Sequence, residues 1–255
     1  MTTNNLEKFR AKLAAGKFCL GASVSVADAS VTELACEAGF DFVFIDGEHG
    51  DIDRKTAMEH IMAVNGSDAA SFYRVPNSTH VEIKRVIDFA PAAIVVPMVM
   101  DAESARRAIA AMRYPPVGDR GCGFRRGNRY GAMELDRYWD ISRHDPWVVL
   151  QIEHIAAYRE LDRILALEGL DSIMIGPFDF SASMGKAGQW DDPEVCQVFD
   201  AACRRIRDAG VVLGCSLDVR QKEWKDRGVQ YMQVKGDLPA LFERWKAVIA
   251  ESATW

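Results

Sequence analysis

The chain has 255 residues, 49% of them hydrophobic, and a formal net charge of −6. That length and apolar content allow a full core. The acidic balance argues against a general nucleic-acid or anionic-membrane binder, since both need a basic face.

In chain order, the opening stretch MTTNNLEKFRAKLAAGKF has no apolar h-region, so no secretion signal is expected, and LEKFRAKLAAG (6–16) reads as a helix. The first apolar run is FCLGASV (18–24), followed by the helical pattern VTELACEAG (31–39), which ends at Gly39 as a C-cap. FDFVFID (40–46) and SFYRV (71–75) read as strands. THVEIKRVIDFA (79–90) follows Asn77-Ser78, which can cap its start. AIVVPMV (93–99) is the fourth strand, and DAESARRAIAAMRY (101–114) is a helix that stops at Pro115-Pro116. Residues 115–146 form the longest interruption and predict a loop with a short helix at ELDRYWDI. WVVLQIE (147–153), SIMIGPF (172–178), VVLGCSL (211–217) and YMQVKG (231–236) supply the remaining strands. Between and after them lie helical patterns at 155–169, 192–210 and 238–252, and a weak one at 219–228.

Several strands are apolar almost throughout, as strands covered on both faces are. Eight strands alternating with helices in about 250 residues predict an α/β fold, a (β/α)8 TIM barrel with an added N-terminal helix. A doubly wound open sheet is the rival. No linker divides residues 1–255, so one domain is expected. No apolar run approaches the ~20 residues of a membrane-spanning helix. The cysteines Cys19, Cys36, Cys122, Cys196, Cys203 and Cys215 show no C-x-x-C pair or zinc spacing, which predicts reduced thiols in a cytoplasmic protein.

A barrel carries its active site where its strands end. The second strand ends in Asp46-Gly47-Glu48-His49, the third in Arg74-Val75-Pro76, the fifth in Gln151-Ile152-Glu153-His154, and the sixth in Gly176-Pro177-Phe178-Asp179. Glu153 and Asp179 come from adjacent strands, and two facing acids repel unless one is protonated or a cation lies between them. A hard divalent ion with one or two protein carboxylates is typical of Mg²⁺-like sites. Arg74 can hold an oxyanion and His49 can move a proton near neutral pH. Together these groups suit chemistry on a keto acid.

The segments FDFVFIDGEHG, YRVP (73–76), VVPMV (95–99), RYPPVGDRG (113–121), VLQIEH (149–154) and IGPFDFSASMG (175–185) resemble the metal-dependent (class II) pyruvate aldolases. This family includes 4-hydroxy-2-oxoheptanedioate and 2-keto-3-deoxy sugar acid aldolases. The resemblance implies a (β/α)8 barrel that assembles as a homo-oligomer, a hexamer (trimer of dimers) exchanging its last helix between subunits. It implies that Glu153 and Asp179 bind Mg²⁺, Mn²⁺ or Co²⁺, with Gln151 beside the metal and the pyruvate. Arg74 would hold the keto acid and its enolate. His49 would be the acid/base, supported locally by Asp46 and paired across a subunit interface with Asp88. Backbone groups from Gly176 through Pro177 to Phe178 would take the pyruvate carboxylate. The partners implied are a small keto acid and an aldehyde, with no nucleic acid and no membrane.

Three departures from the family touch the aldehyde side. Phe178 stands where many members carry Ala, QVKGD (233–237) places Lys235 near the mouth, and GCGFRRGNRYG is unusually basic. Some relatives use the same enolate to form C–C bonds, so a synthase is the second expectation and a non-catalytic keto-acid-binding barrel the third.

Plainer roles stand beside these. Asp46-Gly47 is an ordinary turn pair. Glu48 could be an ion-pair partner only, and Arg74 could close a salt bridge at the rim. Asp88 has Lys84 and Arg85 at helical spacing for a local pair. His154 should point away from Glu153 on a strand. FRRGNR is either a solvated loop or a grip for an acidic acceptor. Phe242, Trp245 and Trp255 could anchor an exchanged helix or pack on their own barrel.

Overall fold

The computed structural model describes residues 4–216 and 220–253. The order of elements is α1 (Leu6–Ala14), β1 (Cys19–Val24), α2 (Ser30–Glu37), β2 (Phe42–Asp46), α3 (Arg54–Val64), β3 (Ala70–Arg74), α4 (His80–Ile87), β4 (Ala93–Val96) and α5 (Ala102–Met112). A 3₁₀ turn (Arg126–Gly131) and α6 (Leu135–Ser142) precede β5 (Trp147–Ile152). The second half runs α7 (Ile155–Arg159), α8 (Leu161–Leu165), β6 (Ser172–Ile175), α9 (Pro177–Ser183), α10 (Pro193–Asp208), β7 (Val212–Ser216), α11 (Gln221–Asp226), β8 (Tyr231–Gly236) and α12 (Asp237–Ser252). The eight strands pair in parallel, each with the next and β8 with β1, to close a barrel. This is the α/β (β/α)8 fold, not the open sheet.

The departures from the expected elements have local causes. The β4 and β6 runs stop short at Val96 and Ile175 because Pro97 lacks a ladder donor and Pro177 opens α9 at its first turn. The pattern at 155–169 breaks into α7 and α8 at Glu160, whose φ of −95° and ψ of 4° leave the helical range. Helix α3 has no counterpart in the helical patterns read from sequence. Its buried face is Ala57, His60, Ile61 and Val64, and the polar His60 interrupts the apolar stripe. Asp53 caps it by accepting from the Thr56 N–H at 2.8 Å.

Side chains alternate along a strand, so Phe42 and Phe44 of β2 enter the barrel while Val43 and Ile45 join the layer under the helices. Phe72, Val95, Trp147, Val149, Met174 and Tyr231 share the interior. Helix α1 closes the end where the strands begin. Its Phe9 ring lies 5.0 Å from Phe72, 5.6 Å from Phe42, 5.7 Å from Trp147 and 5.8 Å from Tyr231. Asn5 ties it down by donating to the Ala69 carbonyl just ahead of β3 at 2.7 Å. One further step in the inward phase brings Asp46, Arg74, Gln151 and Gly176 to the opposite end.

No helix among the described residues is long and apolar enough to cross a membrane. Helix α12 buries none of its described residues, and Leu238, Phe242, Trp245 and Ile249 are exposed along it. Trp255 and the side chain of Lys235 lie outside the described residues, as do residues 217–219.

Candidate active site

Asp46 and Arg74 are register partners on β2 and β3. Arg74 donates from Nε to Asp46 Oδ1 at 2.9 Å and from Nη2 to Oδ2 at 2.6 Å, a planar two-point match. Asp46 Oδ1 also accepts the backbone N–H groups of Glu48 (3.0 Å) and His49 (3.1 Å), so this carboxylate shapes the turn that carries both. Burial opposes ionisation of Asp46, but Arg74 and the two N–H groups outweigh it and hold its carboxyl below the usual range. Gly47 donates to the Arg74 carbonyl at 3.0 Å, and a Cβ there would stand 2.6 Å from that oxygen and 2.4 Å from the Tyr73 hydroxyl. The backbone passes too close for any other residue.

Glu48 is a member of this cluster, although sequence reasoning gave it the least weight. Its Oε2 lies 2.9 Å from Arg74 Nη1 and 3.8 Å from His49 Nε2. Burial raises its pKa against the pull of Arg74 and His49, and the charges of Asp46 and Asp179 add to the rise. The His49 side chain is 69% exposed at the rim.

Glu153 follows β5 and is 2% exposed. Its pKa is raised to about 7, first by burial, then by the charges of Glu48 and Asp179; a hydrogen bond from the Met98 N–H works the other way. That bond, at 2.6 Å to Oε1, depends on Met98 adopting φ +50° just past β4. A non-glycine residue in the left-handed region is a strained conformation of the sort that gathers at working sites. Sequence reasoning missed this contact; its one signal was Pro97, which ends the strand immediately before the turn.

The Gln151 amide donates to Glu153 Oε2 at 2.5 Å, while its own oxygen Oε1, buried, has no partner among the described residues. A Cβ on Gly176 would stand 2.7 Å from Glu153 Oε2 and 3.0 Å from Gln151 Nε2, so glycine keeps that corner open. Asp179 is exposed in the first turn of α9. The Gly176 N–H is occupied by the Ile152 carbonyl at 3.2 Å and Pro177 has none, so the backbone donors left at this corner are those of Phe178 and Asp179. Phe178 is 56% exposed, edge-on to Trp190 at 6.4 Å. His154 points away from the cluster as expected and caps α7 by accepting from Ala156 N–H at 3.1 Å.

The donor set suits a hard cation: carboxylates at Glu153 and Asp179 and a partnerless amide oxygen at Gln151. Among the described residues no group of three or more His, Cys, Asp or Glu side chains is placed to hold a metal ion. A Mg²⁺-like ion does not need one, because it keeps waters and substrate oxygens.

Two expectations are corrected, the local pairing of Asp88 and the place of the GCGFRRGNRYG stretch. Each helix of a parallel barrel returns the chain to the end where strands begin, and Asp88 sits at the C-cap of α4. Within one chain it therefore lies at the other end from His49, as a pairing across a subunit interface requires. Among the described residues it makes no local pair with Lys84 or Arg85. Arg120 Nη2 donates to Asp88 at 3.3 Å, and Arg85 pairs with Glu82. The stretch GCGFRRGNRYG joins α5 to α6 at this same end, so it does not line the aldehyde side of its own chain. Nor is it merely solvated: Arg126 is buried and donates to the Phe89 carbonyl at 2.7 Å.

A closed parallel barrel with acids, an amide and an arginine gathered where the strands end defines a (β/α)8-barrel enzyme. Residues 21–229 match the family model described as HpcH/HpaI aldolase/citrate lyase, and the chain belongs to that family. It is 33% identical to the hydroxypyruvate/pyruvate aldolase of Roseobacter denitrificans, across 96% of this chain and 97% of that one. It is 35% identical to the 5-keto-4-deoxy-D-glucarate aldolase of Salmonella paratyphi C, across 91% of each. The HpcH/HpaI aldolase of Desulfitobacterium hafniense superposes with a TM-score of 0.86 at 26% identity, covering 96% of this chain and 95% of that one. The citrate synthase SbnG superposes with a TM-score of 0.85, also at 26% identity, covering 96% and 97%. Aldolases are carbon–carbon lyases, and the chain is an enzyme of that kind.

Proposed function

We propose that the protein is a divalent-metal-dependent lyase that reversibly cleaves a 4-hydroxy-2-oxo acid to pyruvate and an aldehyde through a pyruvate enolate. The observation that carries this reading is Glu153, buried and raised to about 7 beside a partnerless amide oxygen. Such a carboxyl is poised to exchange its proton for a cation. Glu153 and Asp179 would hold Mg²⁺, Mn²⁺ or Co²⁺, with Gln151 beside it. Bound there, the ion would polarise the keto carbonyl and stabilise negative charge on its oxygen.

The rest of the work falls to the protein's own groups. The N–H groups of Phe178 and Asp179 orient the carboxylate of the keto acid. His49 accepts the proton of the 4-hydroxyl through a water. The C3–C4 bond breaks, its electron pair forms the enolate, and Arg74 holds the enolate oxygen. Proton return to C3 completes pyruvate. Asp46 keeps Arg74 aimed, as its two-point pairing supports.

The exposed apolar face of α12 supports a homo-oligomer; the resemblance to the aldolase family implies that it is a hexamer, a trimer of dimers. The placement of Asp88 at the far end of its own barrel means that its pairing with His49 would join two subunits. Six free cysteines favour a cytoplasmic protein.

Chelation followed by metal addition tests the central reading with a panel of 4-hydroxy-2-oxo acids. Cleavage should vanish with EDTA and return with Mg²⁺ or Mn²⁺. Full activity in excess EDTA, or a borohydride-trapped lysine adduct, would overturn it. A synthase that uses the same enolate on another acceptor is the second reading, favoured by the likeness to citrate synthase SbnG. Product analysis with oxaloacetate or pyruvate plus aldehydes and keto acids separates the two.

A further inference from the structure

We infer that Glu48 is a positioning residue that joins the enolate-holding arginine to the proton-transferring histidine through one carboxylate oxygen. The inference rests on the lyase reading above.

Arg74 has three nitrogens. Asp46 takes Nε and Nη2 at 2.9 and 2.6 Å, which leaves Nη1 as the corner not fixed by β2. Glu48 Oε2 holds that corner at 2.9 Å. The same oxygen lies 3.8 Å from His49 Nε2, one small adjustment from a hydrogen bond. No other side chain is seen to hold the His49 ring among the described residues, and the ring is 69% exposed while Glu48 is 17% exposed. Glu48, the less exposed of the two, therefore sets where the ring points.

Backbone geometry fixes Glu48 itself. Its N–H and that of His49 both donate to Asp46 Oδ1, so the turn cannot rotate without losing those two bonds to the carboxylate that Arg74 also grips. Asp46 and Glu48 thus grip Arg74 from two sides; Asp46 holds the His49 backbone, and Glu48 reaches toward its ring.

The arrangement has a consequence for turnover. A keto-acid oxygen that approaches Arg74 competes with Glu48 for Nη1. Release from Nη1 frees Oε2 to accept from the imidazole, and a carboxylate hydrogen-bonded to an imidazole favours its protonated form. Substrate arrival at Arg74 then turns Oε2 toward the imidazole that takes the hydroxyl proton. The charged groups around Glu48 are Arg74, His49, Asp46 and Asp179, and Glu48 is the one within 4 Å of the His49 ring among the described residues.

The test is Glu48→Gln, which keeps the length and an acceptor oxygen but removes the charge. Two reactions are compared in the Mg²⁺-loaded protein. Hydrogen–deuterium exchange at the pyruvate methyl needs a base to remove a C–H proton. Decarboxylation of oxaloacetate makes the same enolate by loss of CO₂, with no C–H proton removed. The variant should lose exchange at least about tenfold more than decarboxylation, within the range a positioned base contributes. Equal losses in both reactions would mean that Glu48 acts through Arg74 alone and would overturn the inference. So would unchanged exchange. A parent protein that performs neither reaction would overturn the lyase reading itself, and the inference with it.

Discussion

Asp46 and Glu153 end β2 and β5 at the same mouth, and solvent reaches 7% of one and 2% of the other. Their surroundings differ. Asp46 meets a guanidinium at two points plus two backbone N–H groups, and its pKa falls despite burial. Among the described residues Glu153 accepts only from a neutral amide and one backbone N–H; Glu48 and Asp179 repel it, the charge of Arg74 works the other way without a direct pair, and its pKa climbs to about 7. Burial alone therefore does not mark a functional carboxylate. Asp46 is complete within the chain and serves as framework. Glu153 lacks a positive partner, and a cation would supply one.

Breaking the complete pair should have the largest effect. Arg74→Ala leaves Asp46 as an uncompensated buried charge, which costs about 3–5 kcal/mol of stability. Turnover should fall about 10²–10³-fold with the lost oxyanion donor. Urea denaturation and steady-state kinetics measure both; stability within about 1 kcal/mol of the parent would show the pair to be ornamental.

Glu153→Gln should separate the two properties. Turnover should drop by about a hundredfold or more as metal affinity is lost. The metal-free variant should nevertheless be more stable than the parent at neutral pH, by about 1–3 kcal/mol, because a disfavoured buried charge is gone. A variant less stable at neutral pH would show that Glu153 is satisfied without a cation.

The pH dependence of stability sharpens the contrast with smaller effects. Glu153 is raised from 4.5 to about 7, so the stability its protonated form supplies is full below 4.5 and is lost as pH rises through about 7. Asp46 is lowered from 3.8, so its contribution is full above 3.8 and is lost as pH falls through its folded value. Melting temperatures of metal-free parent, Glu153→Gln and Asp46→Asn should diverge in these two windows by a few degrees, about 2–4 °C per kcal/mol. Parallel profiles for all three would remove the distinction.

The strands were legible because both of their faces are buried, which makes near-continuous apolar runs such as WVVLQI. The strand-end groups were legible for a related reason. Inward alternation that begins at Phe42, Phe72 and Trp147 carries on to Asp46, Arg74 and Gln151. Helix α3 was hidden because His60 sits in its buried stripe. The Met98 contact was hidden because it uses a backbone N–H, which no residue type announces. Glu48 was undervalued because the third nitrogen of Arg74 is a fact of geometry. The basic stretch at 121–131 was assigned to the wrong end of the barrel. Its place after α5 puts it at the N-terminal end, and composition had drawn attention to its charge instead.

The contrast between the two carboxylates comes down to whether Glu153 takes a cation. Mn²⁺ titration of the parent and of Glu153→Gln by calorimetry, at about pH 6 and about pH 8, asks this directly. The parent should bind more tightly at the higher pH as Glu153 gives up its proton, and the variant should bind at least about tenfold more weakly at both. Equal Mn²⁺ affinity in the two proteins, without dependence on pH, would contradict the assignment of Glu153 as the group that awaits a metal.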